Sequence, residues 1–186
     1  ACPECGVGIS ELAPRMFSFN NPYGACPDCS GLGTKMYFDE DLIVPDRGLS
    51  IREGAIAPWA NRSSMYYFQT LDALAEHYRF DINVPFNQLS EKVQNALLHG
   101  SGREEIKFYS DRDGRRYFYT RPFEGIVKRM DRLYRETKSF AVRNILSQYI
   151  NLRECPSCMG ARLKKESLSV TVAGRSIYDV CCMSIK

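Results

Sequence analysis

Six of the eight cysteines fall into three C-x-x-C pairs, a spacing that lets two thiolates bind the same metal ion. The pairs are CPEC at 2–5, CPDC at 26–29 and CPSC at 155–158. A structural zinc takes four ligands in a tetrahedron, so each pair supplies half of a site. Because no secretory leader precedes these cysteines, we expect metal rather than disulfides. The candidate zinc ligands are Cys2, Cys5, Cys26, Cys29, Cys155 and Cys158.

Spacing alone leaves the pairing of these half-sites open. Closing the 126-residue interval from Cys29 to Cys155, rather than the 21-residue interval from Cys5 to Cys26, costs a flexible chain about 1.6 kcal/mol more. Zinc binding contributes roughly 10 kcal/mol or more, and the penalty vanishes if the intervening segment folds with its ends together. The shared pattern C-P-x-C-x-G at 26–31 and 155–160 favours the distant pairing. The first pair would then need ligands from elsewhere.

A basic segment lies in the second half of the chain, although the net charge of the whole chain is only +3. Residues 102–143 contain twelve Lys or Arg against seven Asp or Glu, a local charge of +5, which favours a polyanionic partner. Lys128, Arg132 and Arg135 recur at helical spacing, on the face opposite the apolar positions. The candidate phosphate contacts are Lys107, Arg115, Arg116, Arg121, Lys128, Arg129, Arg132 and Arg135.

Helical periodicity predicts the elements that position these residues. Helices are expected over 63–80, 90–99, 123–137 and 139–152. The second has the clearest signals, with Ser90 as its cap and Gly100 as its end. In the first, the expected buried face is Phe68, Leu71, Leu74, Ala75 and Tyr78.

Strand signals surround two turns. Residues 104–123 predict a β-hairpin, because DRDG separates two runs of β-prone residues. One or two short strands are expected around the AGR at 173–175. The sequence therefore predicts an α+β fold, a small zinc-knuckle base with an inserted helical domain that carries a β-hairpin. We expect a zinc-binding base over 1–35, an insertion over 36–150 and a return into the base over 151–186.

The run ELAPRMFSFNNPYGACPDCSGLG at 11–33, followed far downstream by CPSCMGARL at 155–163, resembles the UvrA family. Members of that family are the ATP-driven damage-recognition subunits of bacterial nucleotide excision repair. The resemblance implies that the chain is a piece of a longer protein, covering part of the first signature domain and its DNA-contacting insertion. It implies duplex DNA as partner, especially damaged DNA, read through phosphates and deformability rather than base edges.

The same resemblance carries expectations about the zinc and about the rest of the protein. It supports the distant cysteine pairing, and it implies that Cys2 and Cys5 meet a Cys-x-x-His pair that is absent here. UvrB and a second UvrA copy would bind mostly outside this piece, in the cytoplasm. The sequence holds no G-x-x-x-x-G-K-[ST] loop, no LSGGE-type signature and no Walker B acid, so we expect no ATP hydrolysis by this piece. ATP is expected only in the intact parent, an ABC-type ATPase.

Less specific interpretations compete with these. The basic helix could be a solvated face with Asp131 and Glu136 as counter-charges. The cysteine pattern also marks the cysteine-rich domain of DnaJ-type co-chaperones, so a zinc-dependent protein-interaction module is the alternative function. A zinc enzyme ranks last, because four thiolates leave no open position on the metal. Cys181 and Cys182 are expected to be buried small hydrophobes.

Five other polar or aromatic residues are expected to be structural. His77 and His99 lie near predicted helix ends, where a surface or helix-dipole role is commoner than metal ligation. Trp59 is expected to anchor a core or hinge rather than to stack on a base. Asp111 and Asp113 are expected to be turn residues.

Overall fold

Two sets of residues make most of their contacts among themselves in the computed structural model. The model describes residues 12–60, 65–112 and 115–184, without the side chains of 65, 66, 112 and 115. Unit 1 comprises 1–36 and 152–186, and unit 2 comprises 37–151. Cys2, Cys5 and Asp113 lie outside the described residues. Among the described residues, no helix has the length and apolar character needed to cross a bilayer.

Unit 2 is built from helices and a β-hairpin. Strand β1 (Thr34–Phe38) leads into the unit and pairs with strand β4 (Ile150–Glu154), which leads out of it. Between these strands lie helices α1 (Glu40–Ile43), α2 (Ala57–Ala60), α3 (Met65–Tyr78) and α4 (Glu91–His99), strands β2 (Glu105–Arg112) and β3 (Arg115–Pro122), and helices α5 (Ile126–Glu136) and α6 (Phe140–Ser147). The fourth predicted helix is therefore too long, because 150–152 belong to β4.

Helix α4 follows its sequence signals closely. The Ser90 hydroxyl accepts a hydrogen bond from the Val93 N–H, which satisfies one of the N–H groups that a helix start leaves unpaired. Val93 and Leu97 are buried, and Gly100 ends the helix with a φ of +94°. The cap, the apolar face and the end of this helix are confirmed.

Helix α3 forms within the predicted range, but its buried face differs from the predicted one, most clearly at Phe68. Leu74 is fully buried and Leu71 packs against the core, whereas Phe68 is 56% exposed. Its neighbour Tyr67 is buried instead, with its ring centroid 5.6 Å from that of Trp59. The expectation for Phe68 was wrong, because packing against Trp59 turns the neighbouring residue inward.

The hairpin of β2 and β3 is anchored at one end and exposed at the other. The strands pair antiparallel from Glu105↔Pro122 to Arg112↔Arg115, which confirms the predicted hairpin. Ile106 and Phe108 are buried in the core of unit 2. The Tyr109 hydroxyl donates to Asp72 of α3 at 2.9 Å. In the outer half, Phe118 of β3 is 59% exposed.

Unit 1 has little regular structure beyond its cysteine-rich loops. It contains a 3₁₀ turn at Pro14–Phe17, helix α7 (Lys165–Leu168), strands β5 (Thr171–Val172) and β6 (Arg175–Ser176), and helix α8 (Ile177–Cys181). Strands β5 and β6 form the short hairpin predicted around AGR. Cys181 and Cys182 are exposed, so the expectation that they are buried was wrong. Helix α8 buries no side chain on any face.

Candidate metal centre and candidate nucleic-acid interface

Four buried cysteines converge in unit 1. The sulfurs of Cys26, Cys29, Cys155 and Cys158 all lie within 4.8 Å of one another. The Sγ–Sγ distance is 4.0 Å from Cys26 to Cys155 and 3.7 Å from Cys29 to Cys158. Four thiolates at about 2.3 Å from a tetrahedral zinc would lie about 3.8 Å apart. The four sulfurs therefore have the spacing that a single zinc requires.

The two C-x-x-C loops have nearly the same backbone conformation. Positive φ angles recur at an offset of 129 residues, at 51° and 47° for Ser30 and Met159, and at 77° for both Gly31 and Gly160. A Cβ on Gly31 would collide with the Phe19 carbonyl oxygen, so that turn requires glycine. The recurring C-P-x-C-x-G sequence thus produces one knuckle twice.

Backbone N–H groups point at the sulfurs from both loops. The N–H of Gly33 donates to Cys29 Sγ at 3.3 Å, and that of Arg162 donates to Cys158 Sγ at 3.4 Å. Burial raises the pKa of the Cys155 thiol, but N–H groups of Cys158 and Ser157 outweigh it and lower the pKa to about 7. Such donors stabilise the thiolate, which is the form that binds metal.

Side chains also connect the two loops within unit 1. The Arg162 guanidinium donates to the Gly31 carbonyl oxygen at 2.8 Å and stacks on the Phe19 ring at 3.7 Å. The Ser157 hydroxyl donates to the Asp28 carboxylate. These contacts link the two loops in addition to any metal that the cysteines share.

The candidate basic helix α5 is amphipathic as predicted. Ile126 and Met130 are buried, whereas Lys128, Arg132 and Arg135 are exposed. Leu133, the third expected apolar position, is half-buried against the core. The expected orientation of this helix is therefore confirmed.

Acidic side chains engage two of the three exposed cations. The Arg135 Nε donates to Asp131 at 3.1 Å, and Arg132 NH1 donates to Glu136 at 3.3 Å. Both carboxylates are the counter-charges of the solvated-face interpretation. Exposed pairs of this kind contribute only about 0–1 kcal/mol. Lys128 has no carboxylate within the 4.0 Å salt-bridge distance among the residues that the structure describes.

The hairpin carries cations stacked on aromatic rings. Lys107 Nζ lies 4.4 Å from the Phe118 ring centroid. The Arg116 guanidinium lies 4.3 Å from the Tyr109 ring and also donates to Asp111 at 3.0 Å. Rings interleaved with cations are typical of nucleic-acid surfaces. The Arg115 side chain is not among those described.

Glu124 is the one residue of this region that the sequence interpretation missed. Its carboxylate accepts two hydrogen bonds from Arg132, from Nε at 2.8 Å and from NH2 at 2.9 Å. The separation of eight residues matches no helical pair, and Glu124 precedes the helix. Only the folded chain brings these two groups together.

The remaining candidates have structural roles. His77 pairs with Glu104 at 2.9 Å and His99 pairs with Glu40 at 3.0 Å. Within the described part of the chain, the cysteine cluster is the one group with metal-ligand geometry. Trp59 packs against the core of unit 2, as expected of an anchor.

Comparison with known proteins relates this chain to DNA repair proteins. The family model described as the UvrA DNA-binding domain matches residues 39–148. UvrABC system protein A of Bradyrhizobium diazoefficiens is 48% identical over 186 residues, which is 100% of this chain and 19% of that protein. The protein of the same name from Vibrio cholerae is 49% identical, over 100% of this chain and 20% of the relative. The chain spans about a fifth of the length of these curated relatives.

A solved structure shares the fold. The crystal structure of UvrA2 from Deinococcus radiodurans matches with a TM-score of 0.69 and 29% sequence identity. The match covers 94% of this chain and 22% of that one. The similarity therefore extends over both the cysteine-rich unit and the unit with the hairpin.

Proposed function

The chain belongs to the UvrA DNA-binding domain family, and from this premise we propose that it contacts duplex DNA through its basic hairpin and helix α5. The observation that carries the proposal is the extent of the family match, residues 39–148, which contains all eight candidate phosphate contacts. Damaged duplexes are the proposed substrate within nucleotide excision repair.

Exposed charges support contact with phosphates rather than with base edges. Cations on the hairpin and on α5 lie at the surface, several of them in weak ion pairs. A phosphate can replace an exposed carboxylate partner, because such ion pairs contribute little to stability. When the cation then neutralises the phosphate, counterions are released from the DNA. This mode of binding suits a protein that must accept many sequences.

We also propose that one structural zinc is bound by Cys26, Cys29, Cys155 and Cys158. The sulfur spacing, the burial of all four residues and the N–H groups that face the sulfurs support this ligand set. When bound, the zinc would supply a crosslink between two stretches of chain far apart in sequence. Four thiolates leave no open coordination position, so the centre is proposed to be structural and not catalytic.

The remaining functions are proposed to belong to a longer protein. ATP turnover, binding of UvrB and pairing with a second UvrA copy require parts of the parent ATPase beyond the loops and helices described above. The absence of a G-x-x-x-x-G-K-[ST] loop from the sequence supports this division. The proposed location is the cytoplasm.

The DNA proposal predicts a loss of affinity in the variant Lys128→Ala/Arg135→Ala. The wild-type chain should bind short duplexes with a dissociation constant on the order of 10⁻⁴ to 10⁻⁶ M at physiological salt. The variant should bind every sequence about tenfold more weakly. The slope of log K against log salt should fall by about 2, because each lost phosphate contact removes about 0.9. Fluorescence anisotropy with labelled duplexes over a series of salt concentrations measures both quantities.

The matched control is Arg47→Ala/Arg52→Ala, which removes two exposed positive charges of the same unit that belong neither to the hairpin nor to helix α5. It should leave the salt slope unchanged. Equal losses in both variants would mean that only net charge matters. An unchanged affinity in the first variant would leave α5 as a solvated face.

The zinc proposal predicts the metal content of the purified chain. One tightly bound zinc per chain is expected, because Cys2 and Cys5 offer only two of the four ligands that a second site needs. The variant Cys2→Ser/Cys5→Ser should keep this zinc. Two ions per chain, or a zinc-free double variant, would contradict the ligand set; elemental analysis after exhaustive dialysis distinguishes these results.

A further inference from the structure

Three arginines and one glutamate line a small cavity where β3 runs into α5. Its walls are Arg121, Pro122, Phe123, Glu124, Arg129 and Arg132, and its volume is about 290 Å³. We call it the arginine notch. It lies entirely within unit 2. With three guanidinium groups and one carboxylate, the notch has a formal charge of +2, which suits an anionic ligand.

Aromatic rings and the glutamate hold these guanidinium groups in place. Arg121 lies 5.5 Å from the Phe108 ring centroid and 5.4 Å from that of Tyr119. Arg129 is half-buried and lies 5.9 Å from the Tyr67 ring. Distances within about 6 Å are favourable for a cation over a ring face. The cations are therefore ordered before any ligand arrives, which lowers the entropy that binding must overcome.

Glu124 occupies the geometry that an oxyanion would take. Its two oxygens accept parallel hydrogen bonds from Arg132 at 2.8 and 2.9 Å, the arrangement with which arginine also holds a phosphate. The hydrogen bond from Arg132 holds the pKa of Glu124 below its usual value, and the charges of Arg132, Arg129 and Arg121 act in the same direction. The carboxylate is thus ionised at neutral pH and tethered beside three cations.

We propose that the arginine notch is a binding site for one phosphodiester group of the DNA backbone, and that Glu124 is an intramolecular competitor that the phosphate displaces from Arg132. The proposal rests on the proposed DNA-binding function and names a specific site within it. A tetrahedral phosphate presents its oxygens in more directions than the planar carboxylate does, which suits a notch lined by three guanidinium groups. Because the phosphate must displace Glu124 from Arg132, it binds the notch more weakly than the charge of the notch alone would predict.

The test is duplex binding by Glu124→Gln, which removes the competing charge at constant side-chain size. Its affinity should exceed that of the wild-type chain about three- to tenfold at the same salt concentration, because the phosphate no longer has to displace a carboxylate from Arg132. Two matched controls add the same charge outside the notch, Asp131→Asn on helix α5 and Asp111→Asn on the hairpin. Both should gain less than Glu124→Gln.

A double-variant cycle tests whether the gain acts through Arg132. In the Arg132→Gln background, Glu124→Gln should add no more than the two controls do. A gain from Glu124→Gln no larger than the control gains would overturn the proposal, as would a loss of affinity, which would make Glu124 a positioning residue for Arg132. Circular dichroism melts of each variant verify the fold.

Competition with inorganic phosphate distinguishes a phosphodiester of the DNA backbone from a free phosphate ion as the ligand of the notch. At constant ionic strength it should compete only weakly with duplex, because one phosphate lacks the neighbouring contacts of the backbone. Saturable phosphate binding by Glu124→Gln without a gain in duplex affinity would assign the notch to a free phosphate and overturn the DNA source. If the wild-type chain bound no duplex at all, the broader proposed function would fail first, and the DNA source would fail with it.

Discussion

Replacing Cys155 with serine should abolish tight zinc binding and unfold the cysteine-rich unit. Cys155 is fully buried, and its sulfur lies 4.0 Å from that of Cys26, so the hydroxyl would leave a site of three thiolates. Structural zinc contributes about 10–16 kcal/mol to the folding of small domains, which is as large as the whole stability of a typical domain, about 5–15 kcal/mol. Unit 1 buries few apolar side chains apart from its cysteines, so little else would hold it. Zinc content and thermal melts measure the effect.

The matched control is Cys182→Ser, which makes the same chemical change at an exposed position of the same unit. It should keep one zinc per chain and an unchanged melting temperature. Unit 2 should retain its helical circular dichroism signal in Cys155→Ser, because its core contains none of the four cysteines. A Cys155→Ser chain that keeps its zinc under dialysis would refute the proposed centre.

The second large effect is expected at the anchor of the hairpin. Phe108 is 2% exposed and packs in the core of unit 2, so Phe108→Ala removes a buried ring and leaves a cavity. Substitutions of this kind destabilise by about 3–5 kcal/mol. In a unit of this size that corresponds to a fall in melting temperature of about 10 °C or more. Urea unfolding should have a lower midpoint concentration, while the dependence of the free energy of unfolding on urea concentration stays unchanged.

The control is Phe118→Ala on the other strand of the same hairpin. Phe118 is 59% exposed, so the loss of its ring should change the free energy of unfolding by less than about 1 kcal/mol. Comparable destabilisation by both variants would mean that the outer half of the hairpin is packed in solution. It would also mean that this half is not free to contact DNA.

Local signals in the sequence determined the longer helices and the hairpin of unit 2 and the conformation of the cysteine loops. Ser90 caps the start of α4 and Gly100 ends it, because a capping hydroxyl and a glycine with positive φ act within a few residues of a helix end. The hairpin follows from two β-prone runs around DRDG, and the amphipathic α5 follows from spacing alone. The repeated C-P-x-C-x-G sequence produces two similar knuckles for the same reason, since turn geometry is local.

Packing decided what periodicity leaves open. Residues 67, 70 and 74 have the same helical spacing as 68, 71 and 75, so only the contact of Tyr67 with Trp59 selected which aromatic ring is buried. The bidentate pair of Glu124 with Arg132 joins a loop to a helix and has no signature in sequence. Cys181 and Cys182 are exposed because α8 buries no side chain, which residue type alone does not reveal. Each of these outcomes depends on neighbours distant along the chain, and such neighbours are set only by the tertiary structure.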